Sequence, residues 1–184
     1  MFIDCGEHKK AIESYRQALN IMPTFADAHS NMGNAFRGLS IESKDQESIQ
    51  QAKASYEAAL ELRSDFALAR GNLALHELEY GSRSDAAKQF RQVLRIDPNY
   101  ADALSNLAGL YFEEEKIDEC IRLCLRALRI KPDHFHAYNN LGNALKAKVG
   151  AKQKMIFQFI HDFCTFITLF SLFEVIFLTI SATI

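Results

Sequence analysis

The sequence predicts an all-α protein: a right-handed solenoid of about eight antiparallel helices, followed by a hydrophobic C-terminal helix. Three observations predict it. The pattern A-x-A-x-x-N-[LM]-[GA] occurs at 26–33, 67–74, 101–108 and, with Phe at its first position, 135–142. Its Asn recurs at Asn31, Asn72, Asn106 and Asn140, with spacings of 41, 34 and 34 residues. The chain has only 3 Pro in 184 residues and no run of strand-like alternation. A self-similarity of this period belongs to stacked helix–turn–helix units, each burying its apolar face against the next.

Each repeat also carries a second set of marks. Ala11, Tyr15, Ala18-Leu19 and Pro23 correspond to Ala52, Tyr56, Ala59-Leu60 and Ser64. They correspond again to Ala86, Phe90, Val93-Leu94 and Pro98, and to Cys120, Cys124, Ala127-Leu128 and Pro132. Small residues on one helical face let two helices approach, and the larger residue between them fills the gap. Proline stops the helix by disfavouring helical geometry in the residue before it, so Ser64 predicts a softer stop. The marks and the period are those of the tetratricopeptide repeat, and they place Gly33, Ala74, Ala108 and Gly142 at the tight contacts.

In chain order, 1–25 is a partial repeat whose first helix is mostly missing, with Phe2 at that helix's aromatic mark. Full repeats follow at 26–66, 67–100 and 101–134, then a partial repeat at 135–150. Both ends cut inside repeats, which suggests a fragment, an incomplete gene model or an unusual splice product. The repeat at 26–66 is seven residues longer than the others, between Phe36 and Ala52. Seven residues make about two helical turns and keep an apolar face in phase. Ser43-Lys44-Asp45-Gln46 has the S-x-x-Q form of a capping box, so Ser43 is expected to start a lengthened second helix ending near Leu62. The alternative is a binding loop at 38–42.

Residues 151–184 form a hydrophobic tail. From 155 onward it has no Lys or Arg and holds seven of the chain's 14 Phe. The stretch 163–184 carries one charge, Glu174, and is long enough to cross a bilayer as a helix. Lys152 and Lys154 would then keep the repeats on the cytoplasmic side. Non-native read-through sequence and a helix capping the array are the other readings, and a mid-span Glu counts against the membrane.

The formal net charge of -2 gives no electrostatic case for nucleic acid. The N-terminus lacks the basic and apolar regions of a secretory signal. Cys5, Cys120, Cys124 and Cys164 do not space as a disulfide framework, which fits a reducing compartment, cytoplasmic or nuclear. No phosphate loop, zinc-protease or serine-hydrolase motif occurs, so no catalytic residue, metal or cofactor is expected. Cys120 and Cys124, followed by His134 and His136, fit no standard zinc spacing, and both Cys fall on core marks. Glu113-Glu114-Glu115 reads as a solvated helix end.

The Asn series is the candidate site. A mid-helix carboxamide offers donors and an acceptor, and can grip peptide backbone whatever the side chains. The alternative is that each Asn bonds to the neighbouring repeat and only holds the stack. The segments 25–34 and 137–146, F-A-D-A-H-S-N-M-G-N and A-Y-N-N-L-G-N-A-L-K, resemble the repeat domain of the O-linked N-acetylglucosamine transferases, over residues 1 to about 148. That resemblance implies an Asn row, Asn31, Asn72, Asn106 and Asn140, that binds the backbone of protein substrates. It implies Asp27 and Asp102 as contacts to substrate side chains. Leu68 and His136 depart at the Asp mark, and nothing here matches that family's glycosyltransferase domain. Co-chaperones that clamp carboxylates carry Lys or Arg at that mark, so that resemblance fails. The expected partners are other proteins or peptide segments, and the alternative function is a general scaffold tethered by its tail.

Overall fold

The computed structural model describes residues 5–155 and 158, and every described element is helical. The helices are α1 (Cys5–Ile21), α2 (Ala26–Ser43), α3 (Gln46–Leu62), α4 (Ala67–Tyr80), α5 (Arg83–Ile96), α6 (Ala101–Glu113) and α7 (Ile117–Ile130). An eighth, α8, begins at 135 and is helical through 155. The chain divides into two compact units, Met1–Leu141 and Gly142–Ile184. Phe2 and the tail segment 163–184 lie outside the described residues. Among the described residues, no helix is long and apolar enough to cross a membrane.

In the first unit each helix packs on its neighbours in sequence, α2 on α3, α4 on α5 and α6 on α7, with the pairs stacked in order. Short connectors leave no alternative to antiparallel packing. The size marks behave as small-against-large contacts. A Cβ built at Gly33 would lie 2.6 Å from the Tyr56 ring, so that helix pair closes only because Gly33 has no side chain. Ala74 and Phe90 meet in the next pair, and Ala108 and Cys124 are both fully buried in the last. Gly142 corrects the expected series, because a Cβ there would meet nothing within 4 Å.

The turns between repeats are alike. At 22–25, 63–66, 97–100 and 131–134 the last amide donates to the carbonyl three residues back, at 3.2, 3.1, 3.3 and 3.1 Å. Ser64 therefore makes the same stop as the prolines do. Arg63 explains it: its guanidinium lies 3.5 Å from the centroid of the Phe66 ring and donates to Asp27 Oδ1 at 3.0 Å, clamping the turn from outside.

The seven extra residues are shared between two helices, not given to one. Helix α2 has 18 residues where α4 has 14, and α3 has 17 where α5 has 14. Ser43 is accordingly the last residue of α2, not the start of α3, and the proposed loop at 38–42 is helical. The cap is Asp45, whose carboxylate accepts from the Ser48 amide at 2.7 Å. The Ser43 hydroxyl donates to Asp45, and with Ser48 it holds that carboxyl down at about 2. Lys44 between them takes left-handed backbone, φ 54.

Candidate functional site

The four Asn stand at one mark of α2, α4, α6 and α8, but their surroundings differ. Asn31 is exposed; Asn72, Asn106 and Asn140 are half-buried. Asn140 Nδ2 donates to the Ser105 carbonyl of the preceding repeat at 3.1 Å, the stack-holding bond of the alternative reading. Asn72 Nδ2 is buried without a hydrogen-bond partner. The two Asp lie one turn before an Asn, in the first turns of α2 and α6, where the helix dipole favours a carboxylate. Both have partners within the protein. Asp27 pairs with Arg63, and Asp102 Oδ1 lies 2.9 Å from Nε2 of buried His134. Leu68, at the same mark of α4, is exposed.

The cysteines are where the core marks put them. Cys120 and Cys124 are fully buried with sulfurs 4.0 Å apart, and burial pushes the Cys124 thiol up to about 12. A thiol so far from ionisation is neither a nucleophile nor a ready metal ligand. No group of three metal-capable side chains occurs among the described residues. Glu113 and Glu114 pair with Arg83 and Lys116, at 2.8 and 2.6 Å, as a solvated helix end does.

One ionisable cluster was not anticipated. The other repeats put Ala35-Phe36 and Leu110-Tyr111 at two successive core marks; α4 puts His76-Glu77 there. Both are buried. Glu77 Oε1 holds Lys53 Nζ at 2.8 Å, which raises the lysine's pKa. The Tyr80 hydroxyl shares a 3.1 Å hydrogen bond with Ser40, Arg37 donates to Glu79 at 3.0 Å, and the Tyr56 hydroxyl donates to Asn34 at 2.9 Å. Burial pushes the Tyr56 phenol up to about 12. The His76 ring lies 5.2 Å from Tyr80 and 6.4 Å from Tyr56, its Nδ1 unpartnered and its pKa lowered by desolvation. The signal was legible: charged residues on marks that are apolar elsewhere.

Stacked antiparallel helix pairs with small-against-large contacts and one recurring turn define an α-solenoid built from repeats. The repeats are tetratricopeptide repeats. A TPR repeat model matches residues 1–39, and two tetratricopeptide repeat models match 44–99 and 77–148. Solved structures agree on the fold. The crystal structure titled MamA protein superposes with a TM-score of 0.65 at 20% identity, covering 82% of this chain and 78% of that one. TTC0263, a thermophilic TPR protein of Thermus thermophilus, gives 0.65 at 21% identity, covering 76% and 74%. No curated protein matches this chain. Tetratricopeptide repeats generally mediate protein–protein interaction, and this chain is a repeat scaffold of that kind.

Proposed function

We propose that the array binds an extended peptide segment of another protein along Asn31, Asn72, Asn106 and Asn140, with Asp27 and Asp102 beside the row. In this reading it is the substrate-recognition part of a protein similar to the O-linked N-acetylglucosamine transferases, working in the cytoplasm or nucleus without a cofactor. The observation that supports it is the row itself: one carboxamide recurs at the same mark of successive helices, exposed at Asn31 and half-buried at Asn72 and Asn106, and a carboxamide pairs with either a peptide amide or a peptide carbonyl. Exposed Asn31 is open to the same use. The pairs Asp27–Arg63 and Asp102–His134 have to open before either carboxylate meets a ligand.

The second reading is a general scaffold, tethered to a membrane if 163–184 spans one. The Asn140–Ser105 bond favours it, since that amide is already spent on the stack. Replacing all four Asn with Ala separates the two. Under the peptide reading, affinity for an extended peptide falls by more than tenfold and most of the fold survives, since each neutral hydrogen bond is worth ~0.5–1.5 kcal/mol. A folded quadruple variant with unchanged peptide affinity ends the peptide reading, and the glycosyltransferase resemblance with it.

A further inference from the structure

The cluster around His76 borders an open-sided cavity. A cavity of about 170 Å³ lies between α3 and α4, lined by Gln46, Gln50 and Lys53 from one helix and His76, Glu77 and Tyr80 from the other, with Ile49 and Gly81 completing the wall. A single water needs only about 10–15 Å³ of such space, so there is room for a planar head group and its stem. Gly81 makes that room: a Cβ there would lie 2.0 Å from Glu77 Oε2.

The charges are unequally placed. The Glu77 side chain is 11% exposed, but its partner Lys53 is 45% exposed. The deep group is thus an anion, and the cation holding it sits on a long side chain at the rim. A carboxylate buried in this way needs a cation. The rest of the wall accepts hydrogen bonds. Gln46 and Gln50 each offer an amide oxygen, and Tyr80 offers a ring face. His76 also lines the cavity, with its Nδ1 buried and without a hydrogen-bond partner. Desolvation holds His76 uncharged at neutral pH, so it does not repel a cation. Five donors in a flat fork match a carboxylate ringed by acceptors better than a point ammonium does.

We propose that the cavity between α3 and α4 receives an arginine side chain of a protein partner, with Glu77 as its counter-ion and Lys53 as the resident cation it displaces. The site shares no residue with the Asn row and stands whether or not that row binds peptide.

The test uses the full chain and a neutral, doubly capped Gly-Arg-Gly peptide, followed by calorimetry and by the ring resonances of His76. Saturable binding that shifts those resonances is expected, with the Gly-Lys-Gly peptide weaker. Lys53→Met removes the competitor and is expected to tighten binding about tenfold, the scale of one charge-assisted hydrogen bond. Glu77→Gln is expected to weaken it at least as much, with circular dichroism confirming its fold. Lys53→Met leaves the buried Glu77 carboxylate without its resident cation, so circular dichroism confirms its fold before it carries the decision. Weaker or unchanged binding in that variant overturns the proposal, as does a titration that leaves His76 unmoved. Free arginine binding more tightly than the capped peptide overturns the assignment to a protein partner.

Discussion

A carboxamide at one repeated mark has different surroundings from repeat to repeat, and single substitutions tell them apart. Asn140→Ala deletes the bond to the Ser105 carbonyl and is expected to lower stability by ~0.5–1.5 kcal/mol in thermal melts. Asn31→Ala, at an exposed position, is expected to leave the melting temperature unchanged. Equal losses at both sites would mean that the whole series holds the stack. Gly33 is the reverse of an ordinary helical glycine. Alanine normally gains ~1 kcal/mol in a helix interior, but here its methyl would drive into the Tyr56 ring, and such overpacking costs ~1–3 kcal/mol. Gly33→Ala is therefore expected to melt lower than the parent, and Gly142→Ala, with open space around it, no lower. His76 titrates with a definite sign. Its folded pKa lies below the ordinary 6.5, so its contribution is fully present above pH 6.5 and is lost as the pH falls through that value toward the folded pKa. The charged groups that face it are Glu77, Glu79, Lys53 and Arg37. Melting curves between pH 7.5 and about 5 are expected to fall more steeply for the parent than for His76→Gln; parallel curves would contradict the burial argument. At this scale the recurring Asn, the core thiols and the solvated acids were legible in the sequence, since each follows from position within a repeat. Which Asn has a partner was not, because that depends on the neighbouring backbone.

At the scale of the helix, the pattern gave existence and order but misplaced one boundary. Ser43 and Asp45 are both good caps, and S-x-x-Q pointed to the first. The structure uses the second, because the extra length is divided so that each helix of the pair gains about one turn and both apolar faces stay in phase. Ser43 supports the cap from behind, so Asp45→Ala is expected to melt earlier than Ser43→Ala. Lys44 adopts left-handed backbone that a β-carbon disfavours. Lys44→Gly is expected to stabilise by ~1 kcal/mol in chemical denaturation, and a loss would show that its backbone is not strained. The softer stop expected from Ser64 failed for a related reason. Proline is one way to end a helix, but Arg63 stacked on Phe66 and bonded to Asp27 is another, and the bond spans 36 residues that no local rule connects.

For the whole chain, the period alone disclosed the architecture, and the buried cluster at His76-Glu77 was missed because attention to what repeats hides what fails to repeat. Among the described residues, the core clusters of α1 to α7 draw on residues no later than Ala137. A chain lacking 151–184 is therefore expected to keep a cooperative, fully helical melt, as nearest-neighbour stacking requires. Loss of the helical circular-dichroism signal would instead make the tail a structural cap.

The lengthened pair has a consequence for ligands. A run of equal repeats is degenerate to translation: a strand lying along it fits as well one repeat further on. Helices α2 and α3 overshoot their counterparts by about 6 and 4.5 Å at one end, at 1.5 Å per residue, and raise a ledge there. For a ligand laid along the array, that ledge would be an index mark. A partner that abuts it is read in one frame only, as a ruler is read from its stop.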